Sequence, residues 1–219
     1  MSSLPVGRGS VLMRRFPDSD LLGIDNSVQM INRAKKDYPH WHWLQADAAE
    51  FQSAVKFDIV FSNAAMQWMP NHGKLLDNFR QLLSPRGVIA FQVPKFNEMP
   101  VRDAIERVAK HHRWNTRTAE CPAVFTFNGC EYYYNALCRH YKKIDIWETC
   151  YFHVMESHRS IIEFVRSAGM KPYFDVLEDA EKNDFESGVY EQIKAVYPVQ
   201  PDGNVLFPFK RLFCIGYLN

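Results

Sequence analysis

Short apolar runs alternate with amphipathic stretches along the first half of the chain. Residues 21–25, 41–47, 57–63 and 88–93 each have the pattern of a buried strand. Ser27 is placed to cap a helix after the first of these runs, and the spacing predicts another helix over 74–83. Apolar strands separated by helices of about ten residues are typical of βαβ units with a parallel sheet.

The second half of the chain is richer in helical patterns. We predict a single α/β domain over 1–219, with helical insertions between its later strands that form a cap over the carboxyl edge of the sheet. Open α/β sheets bind their ligands at that edge. The predicted parts are a sheet-forming half over about 1–95, cap segments over about 96–142 and 155–204, and late strands over about 143–153 and 209–217.

Composition narrows the class of protein. The chain has 219 residues, 47% of them hydrophobic, and a net charge of +1, which argues against a dedicated nucleic-acid binder. No apolar run approaches the roughly 20 residues of a membrane-spanning helix. The five widely spaced cysteines include no CxxC pair, so we expect reduced thiols in a cytoplasmic protein and no metal site.

Two acidic residues end neighbouring predicted strands. Asp25 is placed to accept hydrogen bonds from two ribose hydroxyls, or to cap the next helix together with Ser27; spacing alone leaves both interpretations open. Asp47 is placed to accept an exocyclic amine of adenine, with the backbone N–H of Ala48 at a ring nitrogen. Viewed alone, Asp47 fits an ordinary loop acid better; the two acids at the ends of adjacent strands are stronger evidence together than either is alone.

The third strand runs directly into a polar loop. Asn63 and Gln67 stand where they would line a ligand cleft, and Trp68 follows them. A tryptophan at this place is also compatible with an ordinary core position.

These segments carry a family resemblance. Residues 22–25, 45–47, 57–70 and 82–88 resemble consecutive motifs of class I S-adenosylmethionine-dependent methyltransferases. The later segments resemble the trans-aconitate 2-methyltransferase family within that class; they are 145–147, 151–153, 157–158, 161–163, 169–172, 197–198 and 211–213.

The resemblance implies a seven-stranded Rossmann-like sheet, parallel except for one strand, with S-adenosylmethionine as cosubstrate. It implies that Asp25 holds the ribose, that Asp47 and Ala48 hold the adenine, and that Asn63 and Gln67 line the methionine end. It also implies methylation of a carboxylate of a small polycarboxylic acid. Such a reaction needs desolvation and alignment, so we assign no acid–base catalytic residue.

A polyanionic acceptor requires cations, hydroxyl donors and apolar walls. The candidates are Arg211, Lys171, Tyr151 and His153, with Trp147 and Trp68 as walls. Ordinary alternatives stay open for each of them, since a lysine or arginine is usually a solvated surface residue.

The sequence departs from the family pattern at its N-terminus. The glycine-rich loop that follows the first strand should fall near residues 2–6, before a helix over 11–16, where the sequence reads Ser-Ser-Leu-Pro-Val. We therefore expect the first strand to be lacking or irregular, as in a truncated version of a longer enzyme. Such a chain would bind the cosubstrate poorly or not at all. Gly7 and Gly9 as a degenerate loop, or an inactive isoform, are the alternatives.

Two further functions remain open at this point. The acceptor could be another carboxylic acid, such as a fatty, terpenoid or carrier-bound acyl chain. Alternatively, the chain could be an inactive methyltransferase-like binding module. We expect a monomer whose partner is a small molecule, without nucleic acid or membrane.

Overall fold

The computed structural model describes residues 15–121 and 125–219. The described residues include six strands arranged in two sheets. The strands are β1 (Leu22–Asp25), β2 (His42–Gln45), β3 (Phe57–Asn63), β4 (Leu83–Pro94), β5 (Lys143–Met155) and β6 (Val205–Tyr217).

Helices connect and cover these strands. They are α1 (Val28–Asp37), α2 (His72–Leu82), α3 (Pro100–Ala109), α4 (Asn115–Thr118), α5 (Cys130–Leu137), α6 (His158–Arg166), α7 (Lys171–Val176) and α8 (Asp179–Val196). No helix within the described ranges is long and apolar enough to cross a bilayer. Alternation of strand and helix confirms the predicted α/β class.

The larger sheet has the strand order β3-β4-β6-β5. β3 and β4 are parallel, whereas β6 is antiparallel to both β4 and β5. β6 is therefore the one reversed strand of this sheet, as the family resemblance implies.

The smaller sheet is the parallel pair β1–β2. Gly23 of β1 lies opposite Trp43 of β2, and a Cβ at Gly23 would stand only 2.1 Å from the Trp43 ring. A side chain at position 23 would therefore displace this ring, which explains why a glycine occupies an otherwise apolar strand.

Among the described strands, no ladder of backbone hydrogen bonds joins the two sheets. Within residues 15–121 and 125–219, six strands are formed and none lies between β1 and β3, so the implied total of seven is not reached. Apolar side chains on both borders are exposed, with Leu22 at 37%, Ile59 at 45% and Phe61 at 50%. The expected site of the glycine-rich loop, near residues 2–6, lies outside the described residues.

The strand β4 begins earlier than predicted. The apolar pattern predicts this strand over 88–93, whereas β4 starts at Leu83, directly after α2. The pairing of β3 with β4 shifts between Phe57 and Ile59, so the extra residues are absorbed as an irregularity within the ladder.

Two hydrophobic clusters support the sheet and the cap. One joins α2, α5 and the inner residues of β4 and β6, including Phe91 and Leu212. The other joins α3, α6 and α8 with Phe207 and Phe209 of β6. Helix α5 lies in the predicted cap segment 96–142 but packs in the sheet cluster, so that segment serves both layers.

Candidate functional site

The carboxyl ends of β1, β2 and β3 lie at one edge of the structure. Asp25 ends β1, Asp47 follows β2 by two residues, and Asn63 ends β3. A cleft of about 330 Å³ runs along β1 and β3 in the gap between the two sheets, and most of its lining is apolar. Asp25, Ala48 and Asn63 are among its polar or backbone lining residues. Three of the five predicted cosubstrate residues therefore share one cleft.

Both acids also organise their own turns. The backbone N–H of Ser27 donates to Asp25 Oδ1 at 2.8 Å, and that of Ala49 donates to Asp47 Oδ1 at 2.8 Å. The second oxygen of each carboxylate makes no hydrogen bond to the described part of the chain. One oxygen thus shapes the turn while the other remains able to accept from a ligand, so the two interpretations of Asp25 are compatible.

The loop after β3 turns sharply. Ala64 has φ +52°, in the left-handed region, and its N–H donates to the carbonyl of Gln92 at 2.9 Å. Gln67 is buried, and its Nε2 donates to the Ala64 carbonyl at 2.8 Å. The Gln67 side chain therefore stabilises the loop from inside, a role that spacing did not predict.

The returning cap segment also holds this loop. The N–H of Thr126 donates to the Gln67 carbonyl at 2.8 Å. The Trp68 ring packs edge-on against Phe125, with ring centroids 4.6 Å apart. Trp68 is partly buried against the cap cluster, which agrees with the core interpretation of this residue.

A buried glutamine links the end of β3 to β6. Gln92 of β4 is the register partner of Asn63, and Arg211 Nη1 donates to Gln92 Oε1 at 2.7 Å. The Nε2 of Gln92 is buried without a hydrogen-bond partner among the described residues. Gln92 is not among the predicted site residues, although a glutamine within the apolar run 88–93 is a signal for a buried polar role.

Aromatic residues surround the Arg211 guanidinium. It lies 4.6 Å from the centroid of the Phe209 ring and 5.9 Å from that of Tyr151. Tyr151 and Trp147 of β5 are 44% and 43% exposed, and Trp147 stacks on Phe213 at 5.1 Å. Arg211 and Tyr151, two of the residues predicted to bind the methyl acceptor, are thus brought into contact.

His153 lies near the same cluster. Its ring packs near Phe164 and Phe209, and its Nε2 is buried without a hydrogen-bond partner among the described residues. Burial lowers the pKa of His153, and the positive charge of Arg211 lowers it further. The ring is therefore neutral at neutral pH and adds no positive charge for an anion.

Lys171 lies elsewhere, at the start of α7. Its ammonium group forms an exposed ion pair with Asp175, one turn along the same helix, at 2.6 Å. No contact found for Lys171 in the described ranges joins it to Arg211, so the geometry gives its predicted role no support.

Two other lysines near the end of β4 are engaged by carboxylates. Lys95 contacts Glu148 and pairs with Glu98 at 2.6 Å, and Lys210 pairs with Glu98 at 3.5 Å. Burial opposes the charge of Lys95, but its hydrogen bonds to Glu148 and Glu98 outweigh burial and raise its pKa. The described residues contain no cluster of three or more His, Cys, Asp or Glu side chains able to hold a metal ion.

Comparison with known proteins places this chain in a family. A methyltransferase-domain family profile matches residues 4–91. Trans-aconitate 2-methyltransferase of Azoarcus sp. (strain BH72) is 33% identical over 212 residues, which cover 97% of this chain and 83% of that protein. The chain belongs to the trans-aconitate 2-methyltransferase family. The enzyme of the same name from Yersinia pestis is also 33% identical, over 99% of this chain and 86% of its own length.

Solved structures agree on the fold. The YcgJ protein of Bacillus subtilis superposes with a TM-score of 0.60 at 11% identity, over 97% of this chain and 87% of that one. Phosphoethanolamine N-methyltransferase 2 of Haemonchus contortus, solved with S-adenosylhomocysteine, superposes with a TM-score of 0.54 at 14% identity. That match covers 96% of this chain and 46% of the other.

Family membership confirms the predicted class of enzyme. The chain is an S-adenosylmethionine-dependent methyltransferase with a Rossmann-like fold. The roles of the individual site residues and the identity of the acceptor remain predictions.

Proposed function

We propose that this methyltransferase esterifies a carboxylate of a small polycarboxylic acid such as trans-aconitate. The observation that carries the proposal is the hydrogen bond from Arg211 to Gln92, because Gln92 is the register partner of Asn63. A guanidinium group therefore lies close to the end of β3, beside the cleft where we propose that the cosubstrate binds. The names of the bacterial relatives support the same acceptor.

The donor side of the site fits an adenosyl group. Asp25 and Asp47 each retain a carboxylate oxygen for hydroxyl or amine donors, and the Ala48 backbone lies beside the same cleft. Asn63 would border the methionine end. When bound there, S-adenosylmethionine supplies a methyl group already activated by its sulfonium.

The reaction needs no proton transfer. A carboxylate oxygen forms a bond to the methyl carbon as the carbon–sulfur bond breaks, and the electron pair of that bond stays on sulfur. The acceptor is ionised at neutral pH, since carboxyl groups have pKa values near 4. The protein contributes alignment and removal of water, which fits a site without a catalytic base.

The acceptor side offers fixed donors. Arg211 presents a planar guanidinium suited to carboxylates, held by Gln92 and packed on the Phe209 ring. The buried Nε2 of Gln92 is a second donor beside it. Tyr151 would add a hydroxyl donor, and Trp147 and Trp68 apolar walls.

Arg211→Gln tests this assignment. Removing a charge-assisted contact to one acceptor carboxylate should raise the KM for trans-aconitate about 10- to 100-fold. The dissociation constant for S-adenosylhomocysteine should stay within about twofold of the native value, because Arg211 lies on the acceptor side. Arg139→Gln, at an exposed position, is the matched control and should leave both values unchanged.

A panel of acids separates the alternatives. We expect turnover of tricarboxylates and dicarboxylates, with the Arg211→Gln penalty confined to them. Faster turnover of long-chain monocarboxylates, with no effect of Arg211→Gln, would contradict the proposed acceptor. Binding of S-adenosylhomocysteine without turnover of any acid would favour a binding module.

A further inference from the structure

The first residue of α2 is a histidine with no access to solvent. His72 is 0% exposed, and both ring nitrogens are hydrogen-bonded. Its Nε2 lies 2.8 Å from the carbonyl oxygen of Met66, so Nε2 carries the proton and donates it. Its Nδ1 then accepts, and the Tyr133 hydroxyl and the Asn128 amide lie at 2.6 Å and 3.0 Å from it.

The two nitrogens of His72 face different parts of the molecule. Met66 belongs to the loop after β3, next to Gln67. Asn128 and Tyr133 belong to the chain that returns from the cap into α5. Burial lowers the pKa of His72, so the ring stays neutral and keeps this one arrangement of donor and acceptors.

Neighbouring contacts join the same two segments. Thr126 donates its N–H to the Gln67 carbonyl, and Phe125 packs on Trp68. The bond from Thr126 joins the two segments directly, whereas His72 lies outside both and bonds to each. The Tyr133 ring also lies nearly parallel to the imidazole, with centroids 5.8 Å apart.

We infer that His72 is a positioning residue that fixes the loop after β3, which carries Gln67 and Trp68, relative to residues 125–133, the chain that returns from the cap into α5. The inference rests on the proposed function in one respect, because that loop borders the methionine end of the cosubstrate. A shift of residues 125–133 would then move this loop, and so the alignment of donor with acceptor, through His72 in addition to the direct contacts of Phe125 and Thr126.

Two substitutions separate the two sides of the ring. The longer amide of His72→Gln can reach the position of Nε2 and keep the bond to Met66. The shorter amide of His72→Asn can reach the position of Nδ1 and keep the contacts with Tyr133 and Asn128. We expect each to raise the dissociation constant for S-adenosylhomocysteine about 3- to 10-fold, and His72→Phe to raise it more than either.

Tyr133→Phe tests whether the cap acts through the histidine. It deletes one hydroxyl from a ring that otherwise keeps its packing, so the fold should persist. We expect it to weaken S-adenosylhomocysteine binding about threefold in the native chain and to have no further effect in His72→Phe. A purely structural loss at each site would instead give independent, multiplicative effects.

His158→Gln is the matched control. His158 is also a buried histidine, bonded through Nε2 to the Tyr197 carbonyl at 2.7 Å within the cap. It should lower thermal stability as His72→Gln does while leaving S-adenosylhomocysteine binding unchanged. An equal loss of binding in His158→Gln would overturn the inference. So would effects of His72→Phe and Tyr133→Phe on the dissociation constant that multiply in the double variant.

Amide hydrogen exchange measured without ligand tests the positioning role of His72 separately from the proposed function. We expect Tyr133→Phe and His72→Gln to speed exchange at Trp68 and Met69, whose N–H groups bond within the loop, and His158→Gln to leave it unchanged. If the native chain bound no S-adenosylhomocysteine, the proposed function would fail while this readout still tested His72. Unchanged exchange in both variants would overturn the positioning role.

Discussion

Asp25 uses its two carboxylate oxygens differently. Oδ1 accepts from the Ser27 N–H and so fixes the turn into α1, while the other oxygen faces no donor of the described chain. An asparagine can reproduce the first contact through its own oxygen. It removes the negative charge and replaces the second acceptor with a donor.

Asp25→Asn should therefore weaken ligand binding without unfolding the turn. We expect the dissociation constant for S-adenosylhomocysteine to rise about tenfold, since the charged acceptor that we propose for the ribose hydroxyls is lost. Isothermal titration calorimetry measures this, with Asp18→Asn at an exposed position as the control. Equal affinity of Asp25→Asn and the native chain would show that Asp25 serves only the turn.

Some site residues were predictable at the residue scale and others were not. Asp25, Asp47 and Asn63 stand where apolar runs end, so their shared edge follows from the pattern of parallel strands. Gln92 and His72 lie next to partners 119 and 61 positions away in sequence, Arg211 and Tyr133 respectively. Contacts at such separation depend on the tertiary fold, and no local pattern shows them.

Among the elements, the turn after β3 is held under strain. Ala64 adopts φ +52° without being a glycine, and its conformation is fixed by bonds to Gln92 and Gln67. A Cβ in this region costs about 1–2 kcal/mol. Such strain persists where surrounding contacts determine the backbone, which is common at functional sites.

Replacing Ala64 with a smaller or a larger residue should therefore change the free energy of unfolding in opposite directions. Ala64→Gly removes the steric penalty of the Cβ, but glycine also makes the unfolded chain more flexible, which offsets part of the gain. We expect a net stabilisation of about 0.5–1 kcal/mol. Ala64→Val adds a β-branched side chain at positive φ and should destabilise by about 1–3 kcal/mol. Urea denaturation measures both, and destabilisation by the glycine would contradict the strained turn.

Elements with strong periodic signals were predicted well, and boundaries set by tertiary contacts were not. β3 has the predicted bounds, and α8 at Asp179–Val196 lies within the helical cap segment predicted over about 155–204. The short helix α7 was missed because Pro172 near its start and Gly169 before it resemble a loop. β6 begins at Val205, earlier than expected, because Phe207 and Phe209 are buried by the cap.

At the scale of the whole molecule, the described sheet is divided. Among residues 15–121 and 125–219, β1 and β2 pair only with each other, whereas β4 and β6 lie inside a four-stranded sheet. Two strands without further partners are marginally stable on their own, so β1–β2 depends on packing by α1 and the Trp43 ring.

Hydrogen exchange should expose this division. In the ligand-free chain we expect amides of β1 and β2 to exchange at least about tenfold faster than those paired between β4 and β6. S-adenosylhomocysteine should slow exchange at Asp25 and its neighbours, since the cleft joins both sheets. Equal protection of all strands in the free chain would contradict a divided sheet.

Buried neutral histidines should also make stability depend on pH. Burial lowers the pKa of His72 and His153, so the unfolded chain binds more protons as pH falls below about 6.5. The contribution of His72 is complete above that pH and is lost as pH falls towards its folded pKa, by at most about 1.4 kcal/mol per pH unit. The contribution of His153 has the same sign and is smaller, because its ring is only partly buried and water screens its charge.

Urea denaturation between about pH 7.5 and about pH 5.5 measures this slope. His72→Gln should make it shallower, while His40→Gln, at an exposed position, should leave it unchanged. A slope identical in all three proteins would show that His72 does not titrate differently in the folded state.

Transfer of an isotopically labelled methyl group from S-adenosylmethionine to trans-aconitate, followed by NMR of the products, tests the central claim most directly. The account predicts a labelled methyl ester on one carboxylate, released as methanol by alkali, with one S-adenosylhomocysteine formed per ester. Label that remains on the donor, or that reaches an atom other than a carboxylate oxygen, would contradict it.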